Sequence, residues 1–332
     1  MSQAAKRAIT IGNFDGVHLG HRALLSRARE LVGAGGEVIA MAFHPHPFAR
    51  LRPELTPAEI EPWETRVRRL KDAGADRVER LEPTPDLLGM SPAAFVDWLF
   101  GTHRPTYLVE GPDFHFGKGR AGSVATLAEL AAAKGGRVEV VPPMVVSLRD
   151  QSEVVASSTL VRWLLAHGRV RDAAYVLGRA HEVSGTVVSG DRLGRTIGFP
   201  TANLSTPCLC PGDGVYAGIA VLPGGAGWGE AVAAIHVGGR PAIDRAEHRV
   251  EAYLMTPDGR RWNPPPGLPE SGWSCTLRLI GRVRDIVRVN GLEALVGQIT
   301  RDCARCVEIV GPLMGASVGT GRQADAVASE PR

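Results

Sequence analysis

The apolar pattern of this chain changes character near residue 180, and that change limits the folds open to it. Up to about Arg179, short β-rich runs alternate with helical stripes: Arg7–Ile11, then Leu24, Ala28 and Leu31 at helical spacing, then "EVIAMAF", "ETRVRRLKDAGA", "PAAFVDWLF", "TYLVEG" and "RVEVVPP". Strands separated by helices pair in parallel, so the pattern predicts a doubly wound α/β sheet with ligands outside the carboxyl ends of its strands. After "ASSTLVRWLLAHGRVRDAAYVLGR", which reads as a turn and two short helices, the helical spacing stops. "HEVSGTVVSG", "GVYAGIAVLPGG", "AVAAIHVGG", "HRVEAYLM" and "WSCTLRLIGRVRDI" are β-rich runs broken by turns, which predict a second, barrel-like domain. A closing helix, "GLEALVGQITRDCARCVEIV", has Leu292, Leu295 and Ile299 on one face. Residues from about Gly315 are small and polar and read as a disordered tail, while 257–272, "PDGRRWNPPPGLPESG", reads as a loop.

Length and charge narrow the function classes. A chain of 332 residues is long enough for two domains with cores of their own. A formal charge of +3 argues for neither nucleic acid nor a membrane surface as partner. No apolar stretch approaches the roughly 18 residues of a spanning helix, and the first apolar run ends in a motif, so no signal peptide is read. Five cysteines, an odd number, do not form a disulfide framework, and a reducing cytoplasm is expected. Cys208 and Cys210 lie far in sequence from Cys303 and Cys306, and the second pair falls on a helical pattern, so packing is favoured over zinc.

The chemistry-bearing residues cluster at the ends of the first-half strands. "TIGNFDGVHLGH" (10–21) follows the first strand, "HPHP" the second and "GPDFHFGKGR" a later one, and five of the ten histidines lie in these three loops. A glycine-rich turn before a helix presents N–H groups to an anion. His18 and His21 are three apart at the helix start, where their rings share a face and can stabilise charge on phosphate oxygens. Helix capping and a metal pair are the competing readings; no carboxylate or third histidine at a helpful spacing favours the metal. "SSTLVR" offers hydroxyls and a guanidinium fork, or simply a helix N-cap. Taken alone, "GKGR" is a solvated turn, and an isolated strand glutamate such as Glu251 faces solvent.

The four strings "GNFDGVHLGH", "FHPHP", "GPDFHFGKGRAG" and "SSTLVR", in this order, resemble the FAD synthetase module of bifunctional riboflavin kinase/FAD synthetases, and "VSGDRLGRTIGFPTANL" (188–204) resembles the riboflavin kinase signature. With "GVYAG" and "LEALVGQITRD" the resemblance covers roughly Ala8 to Val310. It implies a Rossmann-like nucleotidyltransferase domain at 1–178, a riboflavin-kinase-type β-barrel with a closing helix at 179–314, and a tail at 315–332. The implied reactions are transfer of the ATP γ-phosphoryl to riboflavin, giving FMN, and of the adenylyl group of ATP to FMN, giving FAD and pyrophosphate, with Mg2+ required.

The resemblance also implies roles. His18, His21 and Arg162 serve adenylyl transfer and Glu251 is the base of the kinase. Gly12, Asn13, Phe14, Asp15, Gly16, Ser157, Ser158 and Thr159 hold one ATP, and Gly190, Gly194, Arg195, Gly198 and Pro200 the other. His46, Pro47, Asp113, Phe114, Phe116 and Gly117 take the flavin, and Thr201 and Asn203 the metal. Partners are small molecules, with neither nucleic acid nor membrane, and no motif sets the oligomeric state. The chain departs from the family pattern at His236 (usually asparagine), at Ala242 (usually threonine) and in the 257–272 loop. Three rival readings follow: a live FAD synthetase with a silent kinase, a flavin- or nucleotide-binding regulator without turnover, and a transferase acting on another phosphorylated acceptor.

Overall fold

A computed structural model describes residues 6–190, 193–223, 229–239 and 249–316. Its contacts divide the chain into two compact units: the N-terminal part to Val146 with Glu153–Ser158, and Ser147–Ser152 with everything from Thr159 onward.

The first unit is built on a five-stranded parallel sheet of β1 (Arg7–Gly12), β2 (Glu37–Phe43), β3 (Arg77–Leu81), β4 (Tyr107–Glu110) and β7 (Arg137–Val140), in the order β3-β2-β1-β4-β7. β5 (His115–Phe116) and β6 (Gly122–Ser123) form a small hairpin, and β8 (Val145–Ser147) with β9 (Glu153–Val155) a two-stranded ribbon. The helices are α1 (Leu19–Val32), α2 (Phe48–Leu51), α3 (Trp63–Asp72), α4 (Pro85–Gly89), α5 (Pro92–His103) and α6 (Val124–Ala132). β1 and β2 are apolar on both sides because both faces of the sheet are covered. On one face Ile9, Ile11, Ile39 and Met41 pack with Phe95 and Leu99 of α5 and Leu127 of α6. On the other, Ala8, Val38, Ala40 and Val109 pack with Leu25, Ala28 and Val32 of α1 and Leu70 of α3. From β1 the chain order runs outward through β2 and β3 on one side and through β4 and β7 on the other, so the switch point lies between β1 and β4.

The second unit begins with α7 (Ser158–Ala166), whose first residue belongs to the first unit, and α8 (Val170–Leu177). A closed antiparallel barrel follows, of β10 (His181–Val188), β11 (Ala202–Ser205), β12 (Gly214–Val221), β13 (Glu230–Gly238), β14 (Arg249–Met255) and β15 (Ser274–Arg284), in the order β10-β11-β14-β13-β12-β15. Closure leaves no edge strand exposed. A one-turn helix, α9 (Leu193–Thr196), precedes β11, and α10 (Leu292–Ala316) packs on the barrel.

The predicted face of α10 is packed at Ile299 but not at its first residue, Leu292. Leu292 is 61% exposed; the packed face is Ile299, Cys303, Cys306 and Val310, set against Ala217, Ile219, Val232 and Met255. The cysteines are therefore core residues, and burial pushes the thiols of Cys303 and Cys306 up to about 12. Among the described residues no group of three or more histidines, cysteines or carboxylates is placed to hold a metal. Ala242 and the expected tail beyond Ala316 lie outside the described residues.

Candidate active sites

The turn after β1 departs from ordinary backbone geometry. Phe14, Gly16 and Val17 all have positive φ, at 50°, 82° and 35°. For a β-branched valine this is a strained conformation, which persists only where packing enforces it. Phe14 and Val17 are both buried in the core beneath α1 and supply that packing. The side chains of Phe14 and Asp15, two residues expected at ATP, are turned into the protein. Phe14 is a core side chain, and Asp15 is 3% exposed. Both Asp15 carboxylate oxygens accept the Ile60 N–H, at 3.1 and 3.0 Å, and Oδ1 accepts Arg66 Nη2 at 3.2 Å.

Arg66 was missed by the sequence reading. It lies on α3, is 2% exposed, and also donates to the carbonyls of Asn13 and Phe43. Glu59 stands 3.6 Å from it and 3.1 Å from His44 Nδ1, and the His44 ring stacks on Trp63. The turn is thus clamped from beneath by a buried ionic network. Arginines inside an amphipathic helix read as solvated, so no sequence signal separated Arg66 from Arg68 or Arg69.

Above the clamp the two histidines meet. Their rings stack with centroids 3.6 Å apart and planes 23° apart, and His18 Nδ1 caps α1 by accepting the His21 N–H at 3.4 Å. His18 is 6% exposed. Gly20 makes room for this arrangement, since a Cβ there would press on the His18 ring at 3.1 Å and the Ala156 carbonyl at 3.3 Å. No acidic residue occupies the first turn of α1, so its N-terminal N–H groups keep their positive potential. Capping does not exclude phosphate binding here, since the cap uses Nδ1 of His18 alone.

Two further predicted residues, Ser158 and His46, contact this turn. The Ser158 hydroxyl donates to the Asp15 carbonyl at 2.7 Å, tying the start of "STLVR" to "GNFDG". Ser157 precedes it, and Thr159 and Arg162 follow on α7, Arg162 one helical turn after Ser158. Asn13 Nδ2 lies 3.1 Å from His46 Nε2, bringing together one residue expected at ATP and one expected at flavin. His46 Nδ1 accepts the Phe48 N–H, with Pro47 between them at the head of α2.

In the loop after β4, Asp113 is exposed and its carbonyl bonds His115 Nδ1, which in turn meets Arg120 Nη2 at 3.3 Å. Phe114 stacks on Phe116 at 5.8 Å. Phe116 is buried against Phe95, so its ring belongs to the core and only Phe114 is half-buried. Gly117 has φ +73° and its Cα abuts Pro92, which leaves glycine as the fitting residue, and "KGR" forms an exposed turn beyond it.

The barrel unit assembles its own set. β11 and β14 pair Asn203 with Glu251, and β14 and β13 pair His236 with Glu251, so the three side chains form one row on one face. Thr201 Oγ1 donates to Glu251 Oε2 at 3.4 Å. Gly190 backs this row, because a Cβ there would occupy the space of the Asn203 amide. Gly194 is held equally close to the Phe199 carbonyl, whose residue returns an N–H bond to Gly194 O at 2.7 Å, and Gly198 has φ +88°. Pro200 follows, with Phe199 packed on Tyr253. Arg195 is exposed and pairs with Glu270 at 3.0 Å. The 257–272 loop is secured by the Trp262 N–H to Leu254 O and the Gly272 N–H to Val187 O.

A parallel sheet with an anion-cradling turn at its mouth, joined in one chain to a closed barrel with a glycine-rich turn beside a hydroxyl, an amide and a carboxylate, defines a two-module enzyme of the nucleotide-dependent transferase class. Residues 1–159 match the family model for FAD synthetase and residues 177–310 that for riboflavin kinase. The chain belongs to the bifunctional riboflavin kinase/FMN adenylyltransferase family. The Escherichia coli bifunctional riboflavin kinase/FMN adenylyltransferase is 32% identical over 312 residues, 91% of this chain and 93% of that protein. Its Bacillus subtilis counterpart is 33% identical over 219 residues, 65% of this chain and 67% of that protein. A crystal structure described as a macrolide-efflux protein from Streptococcus pneumoniae matches with a TM-score of 0.76 and 25% identity, covering 94% of this chain and 95% of that one. Among the described residues of this chain, no helix is long and apolar enough to cross a membrane.

Proposed function

We propose that the chain carries both activities of its family, converting riboflavin to FMN in the barrel and FMN to FAD in the α/β unit, with ATP as co-substrate in each. The observation that carries this reading is the pairing, in one chain, of the stacked His18–His21 turn with the Thr201–Asn203–Glu251 row. The family match spans both halves, so neither a silent kinase nor a non-catalytic regulator is favoured. We assign 1–178 to adenylyl transfer and 179–314 to phosphoryl transfer; α7 and α8 pack with the barrel unit although the "SSTLVR" motif runs into α7.

In the first module an oxygen of the FMN phosphate attacks the α-phosphorus of ATP and pyrophosphate leaves. The nucleophile is already ionised, so positioning and charge stabilisation suffice. Gly12, Asn13 and Gly16 bring main-chain N–H groups to the triphosphate. His18 through Nε2, His21, and Arg162 stabilise the charge that develops on its oxygens. Ser157 and Thr159 offer hydroxyls, and Ser158 braces the turn. His46, Pro47, Asp113, Phe114 and Gly117 border the flavin, while Phe14, Asp15 and Phe116 act from within the core.

In the barrel, Glu251 takes the proton of the ribityl hydroxyl as that oxygen attacks the γ-phosphorus, and ADP leaves. Thr201 orients the carboxylate through its hydroxyl. Gly190, Gly194, Gly198 and Pro200 let backbone approach the phosphates, and Arg195 reaches them from the surface. The Thr201 hydroxyl and Asn203 amide oxygen are hard, neutral donors that suit a Mg2+ ion already carried by ATP. Bound there, Mg2+ neutralises phosphate charge. Five free thiols and the use of ATP support a cytoplasmic location, and the small net charge supports small molecules rather than nucleic acid as partners.

Incubation with riboflavin, ATP and Mg2+, followed by chromatography of the flavins, tests the reading. FMN should appear first and FAD after it. FAD formed from supplied FMN but not from riboflavin would refute the kinase half, and FMN accumulating without FAD would refute the transferase half.

A further inference from the structure

The two central strands of the parallel sheet part where a ligand is expected. β1 and β4 are in register from Ala8↔Tyr107 to Ile9↔Leu108 and no further. The Thr106 N–H bonds Arg7 O, so odd-numbered residues of β1 turn their polar groups toward β4, and the Ile11 N–H is the donor at which that ladder stops. It is taken by a side chain: Glu110, the last residue of β4, accepts it through Oε1 at 2.8 Å. Glu110 is 2% exposed. Alternation from Leu108 places it on the face packed by Phe95, Leu99, Phe116 and Leu127, all apolar. A carboxyl therefore spans the switch-point crevice and grips the residue immediately before Gly12 and Asn13, where the phosphate turn begins.

A fold has no need of a carboxyl here, since a main-chain ladder bond would satisfy the Ile11 N–H at lower cost. Burial pushes the Glu110 carboxyl well above its ordinary range, opposed only by the Ile11 N–H. Charged groups on the surrounding elements are engaged elsewhere: Glu139 of β7 with Arg27, His103 of α5 with Glu79, and Lys134 after α6 with Asp97. Asp113 and His115 beyond β4 are exposed, His46 is bonded to Asn13, and His18 and His21 rise with α1 from the opposite face. The upward shift favours the protonated acid, one of whose oxygens holds the Ile11 N–H. Ionisation would favour its exit to water and release that N–H.

We propose that Glu110 is a positioning residue for adenylyl transfer, fixing the Ile11–Asn13 start of the phosphate turn across the mouth of the β1–β4 crevice. The proposal rests on the first module being the adenylyltransferase. Its test compares FAD formation from FMN and FMN formation from riboflavin in wild type, Glu110→Ala and Glu110→Gln, from about pH 6 to about pH 10.

Glu110→Ala leaves a buried N–H unpaired and should lower kcat for FAD formation by roughly 10- to 100-fold, with riboflavin phosphorylation in the same chain unchanged. Glu110→Gln keeps the carbonyl acceptor, should recover to within about threefold of wild type, and should lack the alkaline decline that wild type shows. An alanine variant as active as wild type, or a glutamine variant as slow as alanine, would overturn the proposal. If the alanine variant does not fold, identical alkaline limbs for wild type and Glu110→Gln would overturn it alone. A wild-type protein that makes no FAD from FMN would instead overturn the reading of the module, and the proposal with it.

Discussion

Gly190 has no room for a side chain, and the atoms a Cβ would meet are those of the Asn203 amide. Because the end of one side chain can give way, Gly190→Ala should fold. It should also move Asn203 out of the row with Glu251, lowering riboflavin phosphorylation at least tenfold while FAD formation from supplied FMN continues; separate assays of the two steps check this. Arg66 presents the opposite case. It holds Asp15 at 3.2 Å with both side chains out of water. Removing one partner of a buried pair strands the other, so Arg66→Leu should cost about 3–5 kcal/mol in the first module, measured by denaturant unfolding. At this scale the motif letters do not tell exposure, since His18 is buried as Phe14 and Asp15 are. The structure sets His18 on His21, Thr201 on Glu251 and Asn203 opposite Glu251, while the side chains of Phe14, Asp15 and Phe116, from the same motifs, are buried. Spacing records which residues a turn requires without separating those that touch ligand from those that hold the turn.

At the scale of elements, the pairing of β1 with β4 is pH-sensitive. The folded protein keeps the Glu110 proton above the ordinary value of 4.5 at which the unfolded chain releases it. The native state then binds more protons than the unfolded one, so stability falls as pH rises from about 4.5 toward the folded-state value. Glu110→Gln removes that dependence. Its unfolding temperature should match wild type near pH 4 and exceed it near pH 8, read by calorimetry. Most elements were legible from period alone, since β1, β2, β4 and the barrel strands bury apolar runs. β3 was not, because "RVERL" is an edge strand whose arginines and glutamate remain partly in water. α6 was missed because "VATLAELAA" carries a narrow apolar stripe, only Leu127 and Ala131 being buried. α10 was found, and its barrel contact runs from Ile299 through the small Cys303 and Cys306, while Leu292 ahead of that contact stays exposed.

At the scale of the whole molecule, two units have separate cores, and the residues assigned with His18 and those assigned with Glu251 are different residues. The product of one reaction is the substrate of the other, yet no step requires a residue from both Glu251 and His18 sets. The two steps should therefore be separable by single substitutions and recombinable by mixing. The most direct measurement is chromatography of flavins formed from riboflavin, ATP and Mg2+ by His18→Ala, by Glu251→Gln, and by an equimolar mixture of the two. His18→Ala should stop at FMN, Glu251→Gln should leave riboflavin unconverted yet turn supplied FMN into FAD, and the mixture should make FAD. FAD from His18→Ala at the wild-type rate, or FMN from Glu251→Gln at the wild-type rate, would contradict the account.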